Sequence, residues 1–552
     1  MINNIFFCIF FGLILGFSEP VNSSNSEPMT AIDWLAEKIN DPPEFFTLSN
    51  EQSGDYHDKD PEISLNHLPG VSRNSIGLFG VERLGLPVNI WSSENETHIA
   101  DAVSQIPRSE LFNLNRFLKR ILLAEADPPI TDTKSNFSGQ AFLRARISKL
   151  IMMGALDDAE VLIESIHPIS NMAFLDLSAK IAFLTKRLDG FCNMILERPS
   201  EKNFLMHRII CLARSGDWNA AALALATYSS IGDIDKNLER LLINYLDHEA
   251  ELEIKNEEIC LEEQPVLVYL CDFSGIRPPD NELPLGFLYT NLSRNKSLRT
   301  RINASEEFVK SGALDPAILF SNYKIKRPST SGGVWARAKL VQELDQKFNM
   351  EEYEQLDLLR NLSLAVQEFM QVHLLAQFAN VYGEKIQKIK LNQVSWKYEE
   401  MVAALVLLSG ENLVNIRKEV IKNSNVNTAY YLASGKIGWE NNEKKSTKLI
   451  SQHFHNFEEY NLTLLDKIVL EASVGRFPKD RILSEEMRNS LNLHMNGALL
   501  FKALALISSG QKSDMLDLQI GLASLVRMGL LEDFRIIATE ILIMEYFRNS
   551  VY

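Results

Sequence analysis

From Ile99 onward, apolar residues recur with the 3.6-residue period of an α-helix, and period-2 alternation bounded by turns is hard to find. No other feature constrains the fold as strongly, because one-sided helices bury their apolar stripes by packing on other helices. Residues 111–126 (LFNLNRFLKRILLAEA) set Leu111, Leu114, Leu118, Ile121 and Leu122 on one stripe, and Asp127-Pro128-Pro129 stops that helix. Residues 401–409 are apolar nearly all round and read as a buried helix. The best strand candidate is the short run 265–270 (PVLVYL). The pattern predicts an all-α fold.

A helix-turn-helix signature repeats at residues 150–159 (LIMMGALDDA), 212–221 (LARSGDWNAA) and 308–317 (FVKSGALDPA). Each copy has an apolar helix end, a glycine, and an alanine five residues later, at Gly154/Ala159, Gly216/Ala221 and Gly312/Ala317. Glycine accepts the left-handed conformation that ends the first helix. Asp157, Asp217 or Asp315 can then take up free amides at the start of the second helix, and alanine lets the two helices approach closely. Trp218 reads as a residue packed within its hairpin. Looser copies surround Gly510 and Gly529, with Met515 and Phe534 in place of alanine. The copies are irregularly spaced, so the expected architecture is an irregular stack of helical hairpins, α-solenoid-like and tetratricopeptide-related.

The N-terminal part reads differently. Residues 5–17 (IFFCIFFGLILGF) form an apolar run of 13 residues, short of the roughly 20 needed to cross a bilayer as a helix. It fits a secretory leader, with Gly16 and Ser18 at −3 and −1 and cleavage before Glu19. Residues 1–4 carry no Lys or Arg, so the α-amino group alone supplies the positive end. A buried N-terminal helix and an uncleaved inner-membrane anchor are the alternatives. Residues 19–70 hold eleven acidic side chains against Lys38 and Lys59, a net of −9 out of −16 for the whole chain. That stretch reads as an acidic flexible tether. Within it, residues 31–39 read as a short amphipathic helix, with Ile32, Leu35 and Ile39 on one face and Trp34 exposed; it would dock on a partner or fold back on its own domain. The helical body then divides into residues 71–275 and 285–552. Export exposes Cys192, Cys211, Cys260 and Cys271 to an oxidising space. Four thiols allow three pairings, of which Cys192 with Cys211 and Cys260 with Cys271 are sequence-local; four small buried hydrophobes are the other reading.

Four strings, at residues 31–35 (AIDWL), 122–129 (LLAEADPP), 209–223 (IICLARSGDWNAAAL) and 327–335 (RPSTSGGVW), resemble landmarks of a family of exported bacterial proteins with a tetratricopeptide-like body. The resemblance implies a periplasmic location. It brings no activity, ligand or catalytic residue.

Chemistry-bearing motifs are sparse. Nucleophile-elbow, phosphate-loop, zinc-protease and dinucleotide fingerprints are all missing, and neither a metal nor a cofactor is expected. A net charge of −16, from 72 acidic against 56 basic residues, argues against nucleic acid as a partner. With the leader cleaved, no transmembrane span is expected. His453 and His455 read as surface histidines, and residues 55–58 as solvated charge. The segment 324–337 is the one anion-binding candidate. Lys324, Lys326 and Arg327 precede a turn with Ser331, Gly332 and Gly333 that opens onto a helix bearing Trp335 and Arg337, and free amides at a helix start favour a carboxylate or phosphate. Against that, a serine there can simply cap the helix while Trp335 packs into the core. The expectation is a non-catalytic periplasmic scaffold or adaptor that binds a protein or peptide through its helical-repeat surface. The alternative is a cell-envelope enzyme acting on cell-wall glycan or peptide. It would need a pocket with two carboxylates about 5–10 Å apart, or a Glu of raised pKa at a helix end.

Overall fold

Helix follows helix because each segment carries an apolar stripe and many end on a left-handed glycine. The structure, a computed structural model, describes residues 72–133, 138–166, 172–198, 202–231, 234–247, 264–276, 283–350, 354–391, 393–410, 418–435, 462–478, 497–510 and 514–550. These belong to the unit Gly70–Tyr552, which its contacts set off from Met1–Pro69. The expected leader, the tether with Ile32, Trp34, Leu35 and Ile39, and Cys260, His453 and His455 lie outside the described residues.

The chain is all-α. After a single helical turn (Val81–Leu84) come α1 (Glu96–Ser104), α2 (Phe112–Leu122), α3 (Ala141–Met153), α4 (Leu156–Glu164), α5 (Met172–Thr185), α6 (Asp189–Leu196) and α7 (Leu205–Arg214). It continues with α8 (Trp218–Ile231), α9 (Lys236–Leu246), α10 (Pro265–Phe273), a 3-10 segment (Leu285–Leu292), α11 (Leu298–Lys310), α12 (Pro316–Asn322), α13 (Val334–Phe348) and α14 (Gln355–Gln371). Then come α15 (Leu375–Gln387), α16 (Trp396–Ser409), α17 (Ser424–Ala433), α18 (Leu464–Ser473), α19 (Gly497–Gly510), α20 (Met515–Arg527) and α21 (Leu531–Asn549). Among the described residues, β structure is limited to one isolated bridge and the parallel pair β1 (Phe79–Gly80) and β2 (Ala124–Glu125).

Most neighbours in sequence are neighbours in space, as in a stack of hairpins. The two ends of the described body nevertheless meet: α19 packs on α1, and α21 on α2. Trp91 joins the ends further, stacking on Phe501 of α19 at 5.6 Å and tilting against Phe142 of α3 at 5.1 Å. Each such fully buried apolar side chain contributes ~1.5–3 kcal/mol.

Gly154, Gly216 and Gly312 adopt φ of 80°, 89° and 76°. Each closes its helix with the same paired bonds, such as Ala155 N to Leu150 O at 2.9 Å and Gly154 N to Ile151 O at 3.0 Å. Asp315 caps α12 through the Ala317 amide, and Asp217 accepts from the Ala220 amide. Asp157 does not cap. A single residue, Ala155, separates Gly154 from α4, so Asp157 already lies in the first turn, where it accepts from Arg187 and Tyr289. Ala159 and Ala221 are buried, whereas Ala317 is exposed, because α12 starts at Pro316 and places it at the second helical position rather than the fourth. Gly510 ends α19 for a different reason: a Cβ there would stand 2.5 Å from the Leu518 amide nitrogen of α20.

Two expectations are corrected. Residues 265–270 are helical, with Pro265 at the first position of α10, where its fixed φ suits a helix and its missing N–H costs nothing. Periodicity alone does not tell a short apolar run in a helix from one in a strand. Helix α2 stops at Leu122 rather than Ala126, because Ala124 and Glu125 extend to pair with β1. Arg146 of α3, fully buried with no carboxylate paired to it among the described residues, secures that region. Its guanidinium donates to the carbonyls of Leu122 (2.7 Å), Ala124 (2.8 Å) and Ile76 (2.8 Å), and burial lowers its pKa to about 9.

Candidate functional site

Among the described residues, a cleft of about 590 Å³ opens with α2 as its floor. Helix α2 spaces Asn113, Arg116 and Arg120 by three or four residues, so they share the face turned away from the buried stripe Leu114, Leu118, Ile121. Five other regions wall the cleft: residues 79–84, Asp158 of α4, the α11–α12 turn (Gly312, Leu314, Asp315, Pro316), Asn380 of α15, and α21 (Asp533, Ile536, Ile537).

Several interactions hold the walls to the floor. Asn115 Nδ2 donates to Lys310 O at 2.8 Å and to Ser109 O at 3.0 Å, tying α2 to the end of α11. Gly312 meets α2 so closely that a Cβ would lie 3.1 Å from Asn115 Cβ. Glu540 of α21 stands behind the floor, buried, and accepts the amides of Phe112 (2.7 Å) and Asn113 (2.8 Å) at the head of α2. Burial pushes its pKa up to about 7, against the opposing pull of those amides and of Arg116.

The charges lining the cleft divide unequally. Asp158 pairs with Lys119 at 2.7 Å, Asp533 pairs with Arg120, and Asp315 caps its own helix. Burial raises the Asp533 pKa and Arg120 opposes that shift. Arg83 and Arg116 are exposed, and among the described residues no carboxylate oxygen lies within 4 Å of either guanidinium. Arg116 lies over the Phe112 ring at 5.3 Å, a contact that does not use its hydrogen-bond donors. The Nε of Arg120 is buried and has no acceptor. The cleft thus presents cationic donors above apolar walls, with its carboxylates engaged. This arrangement suits holding an anion more than passing a proton.

The anion candidate at 324–337 is arranged differently. Arg337 turns into the core, where it forms a two-point pair with Glu306 at 2.9 and 2.8 Å, and Tyr323 donates to the same carboxylate at 2.7 Å. Lys324 pairs with Asp345 at 2.8 Å. Lys326, Arg327 and Ser331 are exposed, and Gly332 and Gly333 both take positive φ ahead of α13. Gly333 occupies the N-cap, so no side chain caps the helix; Trp335 is partly buried against the core.

Cys192 and Cys211 form a disulfide that joins α6 to α7, and Cys271 is disulfide-bonded as well. Beside that first bridge, His207 sits among Phe183, Phe191 and Phe204, and burial lowers its pKa to about 4. Trp218 does not pack into its hairpin. It is 53% exposed, on the same helix as Leu223 (70%) and Ile231 (69%), so α8 carries exposed apolar side chains and no charged residue. Among the described residues no helix is long and apolar enough to cross a membrane, and no three His, Cys, Asp or Glu side chains converge as metal ligands.

The cleft escaped the sequence reading, which met Gly312 and Asp315 only as hairpin residues, because Arg83, Arg116, Asp315 and Asp533 share no local string. The only signal was the polar face of α2, which looks like any solvated face. No family model, no curated protein and no solved structure matches this chain.

Proposed function

We propose that this chain is a non-catalytic scaffold or adaptor, exported to the periplasm, that binds a protein or peptide partner on its helical-hairpin surface at the α2 cleft. The observation that carries this reading is the imbalance in the cleft: each carboxylate lining it is paired or capping, while the guanidinium groups of Arg83 and Arg116 are left for a ligand. A general acid or base needs a carboxylate open to substrate. Asp158 and Asp533 are each tied to a cation, and Glu540 is sealed behind the floor. The Cys192–Cys211 disulfide supports export, since such bonds persist in oxidising compartments. The test is affinity capture from envelope extract with the wild-type chain and an Arg83→Glu/Arg116→Glu variant. A partner retained by the wild type and lost by the variant is expected. A partner retained equally by both excludes the cleft.

A further inference from the structure

We infer that the occupant of the α2 cleft is an extended peptide segment in which acidic and apolar side chains stand side by side; this deepens the partner-binding reading and rests on it. Two donor groups point to the acidic part. The guanidinium groups of Arg83 and Arg116 are exposed in the cleft, and among the described residues no carboxylate oxygen lies within 4 Å of either, Glu540 acting on Arg116 only from behind the floor. Arg116 lies over the Phe112 ring at 5.3 Å, a contact that leaves its N–H donors free for two-point recognition of a carboxylate. The apolar part is set by Leu314, Pro316 and Ile536, which wall the same cleft, Ile536 being exposed in the absence of a ligand. A peptide suits this wall better than a small metabolite. The two free arginines are exposed rather than enclosed, and a metabolite is ordinarily gripped by polar groups inside a pocket.

Charge complementarity also predicts what the cleft rejects. A basic segment would face the like charge of Arg83 and Arg116 with Asp158 and Asp533 already paired, and would find only the Asp315 cap carboxylate without a cation. A neutral isostere keeps the apolar contacts and loses the ionic ones.

The experiment uses the full chain and three fluorescein-labelled peptides: one of alternating Glu and Leu, the same peptide with Gln for Glu, and the same with Lys for Glu. Fluorescence anisotropy at low and high salt gives each affinity. The acidic peptide should bind roughly tenfold more tightly than the Gln peptide at low salt, the sum of two modest ion pairs, and the gap should narrow as salt rises. Arg116→Glu should erase that preference and Arg83→Glu should reduce it; both side chains are exposed and carry no hydrogen bond within the fold, and a thermal melt verifies that each variant folds. Equal binding of the Glu and Gln peptides, or acidic binding unchanged in both variants, overturns the inference. If affinity capture still yields a partner lost by the Arg83→Glu/Arg116→Glu variant while the acidic peptide shows no preference, the chemistry assigned to the segment falls and the partner-binding reading stands. If that variant retains the partner, binding at the cleft falls, and this inference falls with it.

Discussion

Replacing Glu540 tests how the C-terminal helix holds the floor of the cleft. Its carboxylate accepts two amides at the head of α2, 428 residues away along the chain from Phe112. Glu540→Ala leaves both amides buried without an acceptor and a cavity behind them. A lost N-cap costs ~1 kcal/mol and a buried amide left without an acceptor ~1–3 kcal/mol, so a loss of about 3 kcal/mol is expected. Glu540→Gln gives a sharper test. Burial raises the Glu540 pKa from 4.5 to about 7, so between those values the folded chain holds a proton that the unfolded chain has released. The resulting stabilisation is fully present below about pH 4.5 and is lost as pH rises through about 7, a change of about 3 kcal/mol across the window. Glutamine cannot titrate. Thermal melts of both chains from about pH 5 to about pH 8 should therefore show the Gln deficit largest at the acid end and shrinking toward the alkaline end. Parallel curves, or a deficit that grows with pH, would refute the reasoning. They would mean that the amides and Arg116 outweigh burial and keep the group ionised throughout.

Arg146→Met should destabilise the chain by ~3 kcal/mol or more, read as a lowered denaturation midpoint, because three buried carbonyls lose their donor together. Arg146→Lys should recover little, since an ammonium cannot reproduce the planar fork. Reducing the Cys192–Cys211 bridge, or replacing both residues with Ser, should cost about 3 kcal/mol for a loop closed across a separation of 19 residues, seen in melts with and without reductant. Arg337→Leu alone should cost ~3–5 kcal/mol by leaving Glu306 buried without its counter-charge. The double variant Glu306→Leu/Arg337→Leu should regain much of that loss in a double-mutant cycle.

The helices were legible because their signal is local. The stripe Leu111, Leu114, Leu118, Ile121, Leu122 and the three hairpin glycines each depend on residues a few positions apart, and each is reproduced by burial or by φ. Finer detail failed where the register differs: Asp157 is not a cap because the turn after Gly154 is one residue long and leaves it inside the helix, and Ala317 is not buried because the turn after Gly312 is three residues long. The cleft was illegible for the opposite reason. Its walls come from residues 79–84, 158, 312–316, 380 and 533–537, brought together only when α21 closes on α2. Arg337 misled in the same way. Its sequence neighbours Lys324 and Arg327 suggested a surface cation, but its partner Glu306 lies on another helix, one turn of the stack away.

The measurement that tests partner binding in the cleft most directly is site-specific photo-crosslinking in envelope extract, with a photoreactive amino acid in place of Ile536 in the cleft or of Leu223 on α8. The account predicts a crosslinked partner from position 536 that disappears when Arg116→Glu is added. Crosslinking from position 223 alone, or from position 536 undiminished by Arg116→Glu, would contradict it.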